Sequence, residues 1–138
     1  MGAVEVRLYL DRAQDFLQGM QLLREDKAYR TSSALLGIHS AVAYSDALRA
    51  GLGDESMAAE DHQIATKALR RLLSDRTEND SGLRHLESLL SKKHAVAYGN
   101  RRLTGNDFEL IFTQAERFAK WVNGMGSQLK VEGWRYAD

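Results

Sequence analysis

Apolar residues recur at three- and four-residue intervals along most of the chain, the period of helices that bury one face. A first helix is predicted from about Val4 to Glu25, with Tyr9, Ala13, Phe16, Met20 and Leu23 on one stripe. The polar turn Asp26-Lys27-Ala28 leads into a second helix from about Tyr29 to Ala50. That segment is apolar nearly all round (Leu35, Leu36, Ile38, Val42, Ala43, Ala47, Leu48), which marks a central, buried helix. Gly51-Leu52-Gly53-Asp54 ends it with residues that tolerate positive φ. After a looser stretch, Glu55 to Glu60, a third helix is expected over roughly Asp61 to Ser74, with Ala65, Leu69, Leu72 and Leu73 inward.

The run Asp75 to Gly82 is a polar loop, and a fourth helix follows it and stops at Gly99-Asn100. Thr104 to Asp107 has the form of an N-cap with an acidic third position. It opens a last helix with Phe108, Ile111, Phe112, Ala115, Phe118, Trp121 and Val122 on the inner face. Gly124 and Gly126 weaken its end, and Val131 to Asp138 reads as a tail whose Trp134 and Tyr136 seek a partner surface. Short connections favour antiparallel neighbours. The expected fold is all-α, an up-and-down bundle of four to five helices in a single domain over 1–138. The bundle covers about 4–123 and a C-terminal extension 124–138.

Composition supports this. The 138 residues contain no proline and no cysteine, so helices face few forced breaks, and disulfides and thiolate metal sites are excluded. Lys plus Arg equals Asp plus Glu at 19 each, leaving no global basic field. The start Met1-Gly2-Ala3-Val4-Glu5 lacks the basic-then-apolar pattern of a secretory signal, and Val6 stands where a myristoylation site needs Ser or Thr. No apolar run approaches the roughly 18 residues that span a bilayer. A soluble, cytoplasmic protein without membrane contact is expected.

Against that pattern one residue stands out. With Leu83 as origin and about 100° per residue, Leu86, Leu90 and Ala97 fall at roughly 300°, 340° and 320°, and Lys93 at about 280°, inside the apolar stripe. Lys92 points the opposite way. A buried ammonium is costly unless it is paired or its head reaches water. Three other polar residues share the oddity. His39 and Asp46 lie two turns apart on one stripe of the second helix, and His62 is on the inner side of the third. These four residues are expected to face one interior pocket, with Asp46 as the counter-charge of Lys93. Such a set either fixes helix register or lines a polar cleft for a small or phosphorylated ligand.

No metal is expected, although His39, Asp46 and His62 are ligand types: the chain has neither a Glu-x-x-His pair nor a His-x-x-x-His. A Ser-His-Asp hydrolase built from Ser40 or Ser45 with His39 and Asp46 fails because adjacent residues diverge by about 100° on a helix. Basic residues cluster at Lys67, Arg70, Arg71 and Arg76, and again at Arg84, Lys92, Lys93, Arg101 and Arg102. The first group reads as a solvated face. The second lies beside Tyr98, and cations next to an aromatic ring can grip phosphates and stack a base; a solvated helix end is the other reading.

The chain resembles the HEPN domain, the α-helical family named for nucleotide binding in higher eukaryotes and prokaryotes. The resemblance covers about residues 5–123. It rests on Tyr9-Leu10-Asp11-Arg12-Ala13-Gln14-Asp15-Phe16-Leu17 with Tyr29-Arg30, on His39 through Leu48, and on Lys93-His94-Ala95-Val96-Ala97-Tyr98. It implies a homodimeric bundle with a late-helix Arg-x4-6-His motif, which in the family's ribonucleases lines a cleft at the dimer interface and cleaves RNA without metal. Here Lys93 stands at the arginine position, His94 at the polar position after it, and Tyr98 at the histidine. Lysine lacks the planar fork that grips phosphate, and tyrosine, with an ordinary pKa near about 10, is a poor base.

The resemblance therefore implies Lys93, His94 and Tyr98 as the catalytic positions of a degenerate motif, and Asp46, His39, His62, Arg101 and Arg102 as ligand-binding. The expected function is RNA or nucleotide binding by a homodimer, with nuclease activity weak or absent and no cofactor. The alternatives are an active metal-independent RNase toxin, paired with an antitoxin or nucleotidyltransferase, and a purely structural or protein-interaction module.

Overall fold

Two caps set the direction of the chain at one end of the molecule. The Asp26 carboxylate accepts a hydrogen bond from the Ala28 amide at 2.9 Å and starts a single 3-10 turn, Lys27–Tyr29. Thr104 and Asp107 form a reciprocal capping box, the Thr104 hydroxyl accepting from the Asp107 amide and the Asp107 carboxylate from the Thr104 amide. In the computed structural model, which describes residues 2–54, 57 and 64–134, the 3-10 turn leads into the second of five helices and the capping box opens the fifth. They are α1 (Gly2–Leu23), α2 (Arg30–Gly51), α3 (Ala65–Leu73), α4 (Leu83–Tyr98) and α5 (Gly105–Gln128). The fold is an all-α up-and-down bundle, with no strand among the described residues. None of the helices is long and apolar enough to cross a membrane.

The all-round apolar pattern of α2 is explained by its position. It packs against each of α1, α3, α4 and α5, and buries residues on every side from Ser33 to Arg49. Its closest partner is α1, and small residues let the two backbones approach. The buried hydroxyls of Ser33 and Ser40 donate to the Met20 and Ala13 carbonyls at 2.7 and 2.8 Å. One continuous apolar core joins side chains from all five helices. At the far end of α2, Arg49 Nε and Asp54 Oδ2 meet at 2.7 Å with each side chain only 3% exposed.

The end of α5 departs from the sequence expectation. The helix runs through Gly124 and Gly126 to Gln128 and closes in a Schellman motif. The Val131 amide donates to the Gly126 carbonyl and the Lys130 amide to that of Ser127. Lys130, at φ 54°, takes the left-handed position usually given to glycine. The turn sends the chain back over the bundle, so Val131 and Trp134 are buried at 8% and 6% exposure. Trp134 lies flat on Gly126, where an added Cβ would come within 2.1 Å of its ring, and its indole N–H donates to Asn123 at 3.1 Å. Trp134 is thus part of this chain's own core rather than a surface for a partner; Tyr136 lies outside the described residues.

Candidate functional site

The capped end of the bundle gathers the starts of α2 and α5 and the last turn of α4. Gly99 ends α4 in an extended conformation, with its amide still donating to the Ala95 carbonyl at 3.2 Å. A Cβ at Gly99 would stand 2.5 Å from that carbonyl oxygen, so a larger residue would force the chain away from the helix end. Asn100, Arg101 and Arg102 follow this helix end and line one cavity with Lys27 and Ala28 of the 3-10 turn.

Two adjoining cavities result. The larger, about 690 Å³, has Val96, Leu103 and Phe108 among its apolar walls and carries four cations, Lys27, Arg30, Arg101 and Arg102. No carboxylate among the described residues lines it. The smaller, about 440 Å³, is bounded by His94 and Tyr98 and shares Ala95, Gly99, Asn100, Arg101 and Leu103 with the first. His94 and Tyr98 sit one turn apart with ring centroids 5.8 Å apart at 47°, and Tyr98 is 78% exposed. Arg101 stands between a basic basin and an aromatic ledge. In a chain of zero net charge, four cations on one cavity make a local anion trap.

Four of the residues singled out from sequence, Arg101, Arg102, His94 and Tyr98, are brought together here. Lys27 and Arg30 join them although nothing in their local pattern marks them; only the return of α2 beside the end of α4 places them. Lys93, His39 and Asp46 line neither cavity. Lys93 is half-buried on the core-facing side of α4. It forms no ion pair with Asp46; ion pairs between described residues include those of Arg24 with Glu109 and Glu116, and of Arg49 with Asp54.

The reason is axial register. Val96 lines the same cavity as Arg30 and Thr31, so the end of α4 is level with the start of α2. Lys93 is about 4.5 Å back from Val96, whereas Asp46 is about 22 Å along α2 from Thr31 at 1.5 Å per residue. His39 instead packs beside Phe16 of α1, ring centroids 5.8 Å apart, and His62 lies outside the described residues.

Lys92 also departs from expectation. Rather than pointing away from the bundle, its ammonium bonds the Ser88 hydroxyl and the Gln114 side chain of α5 at 3.4 Å, using the flank of α4 that faces α5. No group of three or more His, Asp or Glu side chains among the described residues is arranged to hold a metal. Compared with known proteins, the chain matches no protein family, no curated protein and no solved structure.

Proposed function

We propose that this protein binds single-stranded RNA or a nucleotide at the paired cavities around Arg101, as an HEPN-like homodimer without effective nuclease chemistry. The observation that carries the reading is the division of the site. Four cations face one cavity, two stackable rings border the other, and Arg101 lines both. A nucleotide has the same division: a phosphate wants charge-assisted donors in a fixed fork, and a base wants a flat ring. The exposure of Tyr98 leaves its face open for stacking.

Cleavage at this site is expected to be weak or absent. Lys93 lines neither cavity, so no lysine from the motif converges with Tyr98 on one phosphate. The homodimer is carried by the family resemblance, and light scattering checks it independently of binding. The binding reading is tested by anisotropy titration of a fluorescein-labelled eight-nucleotide RNA at several salt concentrations. Four phosphate contacts give a log–log salt slope of about −3 for a single strand. Arg101→Ala or Arg102→Ala is expected to weaken binding about tenfold and to flatten the slope by roughly one contact. Binding unchanged in both variants would refute the site.

A further inference from the structure

At the opposite end of α4 lies a second basic cavity, which shares no lining residue with the pair around Arg101. It opens between the start of α4 and the C-terminal half of α5, with a volume of about 400 Å³. Arg84 and His85 come from α4, Arg117 and Lys120 from α5, and Trp121 contributes its indole. No carboxylate among the described residues lines this cavity either.

The ring of Trp121 is held in place. Its N–H donates to the Asn79 carbonyl at 3.2 Å, and Gly82 lies so close beneath it that an added Cβ would come within 2.1 Å of the ring. Phe118 supports it at a centroid distance of 5.8 Å. The indole is therefore a fixed wall, and ordering it costs a ligand little. Burial first, and then the guanidiniums of Arg84 and Arg117, hold His85 below its ordinary pKa.

We propose that this cleft is a separate binding site for a phosphate monoester on an aromatic group, a nucleoside monophosphate being the class that fits. The phosphate meets Arg84, Arg117 and Lys120, and the base lies against Trp121. Three permanent cations without a counter-charge suit a dianion, which a phosphate monoester largely is at neutral pH. A metal cation or a basic peptide is repelled by the same field. The fixed indole distinguishes this cleft from a bare phosphate site, because it adds affinity only when a ring is attached.

The test is site-resolved NMR on the full chain at pH 7.5, titrated separately with AMP, inorganic phosphate and adenosine. The Trp121 indole N–H signal reports the cleft, and the Trp134 indole, tied to Asn123, serves as internal control. AMP is expected to shift the Trp121 and His85 signals saturably, at least about tenfold tighter than either fragment. It should also raise the His85 titration midpoint, since a bound dianion offsets the two guanidiniums.

Arg117→Ala and Lys120→Ala, both surface changes, should each weaken AMP about five- to tenfold. Arg71→Ala on α3, where the side chain is exposed, should not change it. No Trp121 shift with AMP overturns the site. Phosphate binding as tightly as AMP overturns the role of the indole, and adenosine binding as tightly as AMP overturns that of the cations. Binding that is indifferent to Arg117→Ala and Lys120→Ala with unchanged melting temperature overturns the assignment of those residues.

Discussion

Gly124 and Gly126 stand two residues apart in α5, and alanine at the two positions is expected to move stability in opposite directions. At exposed Gly124 an added Cβ meets nothing within 4 Å. Gly124→Ala then only removes the backbone-entropy cost of glycine in a helix, a gain of about 0.5–1 kcal/mol. At Gly126 the same atom would come to 2.1 and 2.2 Å from Cδ2 and Cε2 of Trp134. That ring is 6% exposed and fixed through its N–H to Asn123, so it cannot shift alone. Losing a packed tryptophan costs roughly 3–5 kcal/mol, and the helix-propensity gain offsets about 1 of it. Gly126→Ala should therefore destabilise by about 2–4 kcal/mol, a fall in melting temperature of roughly 6–15 °C for a chain of this size. Urea unfolding followed by far-UV circular dichroism and tryptophan fluorescence measures both variants. Equal stabilisation at the two positions would refute the docking of Trp134 on Gly126.

Three further outcomes follow from the same packing and capping arguments. Lys130→Gly should stabilise the protein by roughly 1 kcal/mol in thermal melts, because a lysine in the left-handed position of a Schellman motif carries strain that glycine lacks. Asp54→Asn should cost about 3–5 kcal/mol in denaturant titrations, since it removes the carboxylate opposite a guanidinium that is equally buried. At the start of α5, the Thr104 amide and then its hydroxyl hold the Asp107 carboxyl below its ordinary 3.8. A depressed carboxyl stabilises the fold above its unfolded pKa, and this contribution is lost as pH falls from about 3.8 through the lower folded value. Melting temperatures across that range should therefore decline less in Asp107→Asn than in the wild type, while Thr104→Ala should cost about 1 kcal/mol near neutral pH.

Much of the fold was legible because helix periodicity and caps are local. The all-round apolar run of α2 marked it as central, and Thr104 with Asp107 announced the start of α5 through a capping box that is present. What sequence could not supply was register between elements. The angular position of Lys93 on the core-facing side was legible, but its level along the bundle was not, and Asp46 lies roughly 18 Å away along the axis. The same gap hid Lys27 and Arg30, which reach the basic cavity only through the packing of α2 against α4. Gly126 misled for a related reason. Glycine weakens an isolated helix, yet here it makes room for a tryptophan eight residues later, and the turn that brings it back uses a lysine where pattern reading looks for glycine.

Binding of RNA at the cavities around Arg101 can be read from the arginine side-chain Nε–Hε signals while an eight-nucleotide single-stranded RNA is added. Saturable shifts are expected at Arg30, Arg101 and Arg102 with broadening of the Tyr98 ring signals, and no change at Arg71. Shifts spread evenly over all exposed arginines, or absent from Arg101 and Arg102, would contradict it.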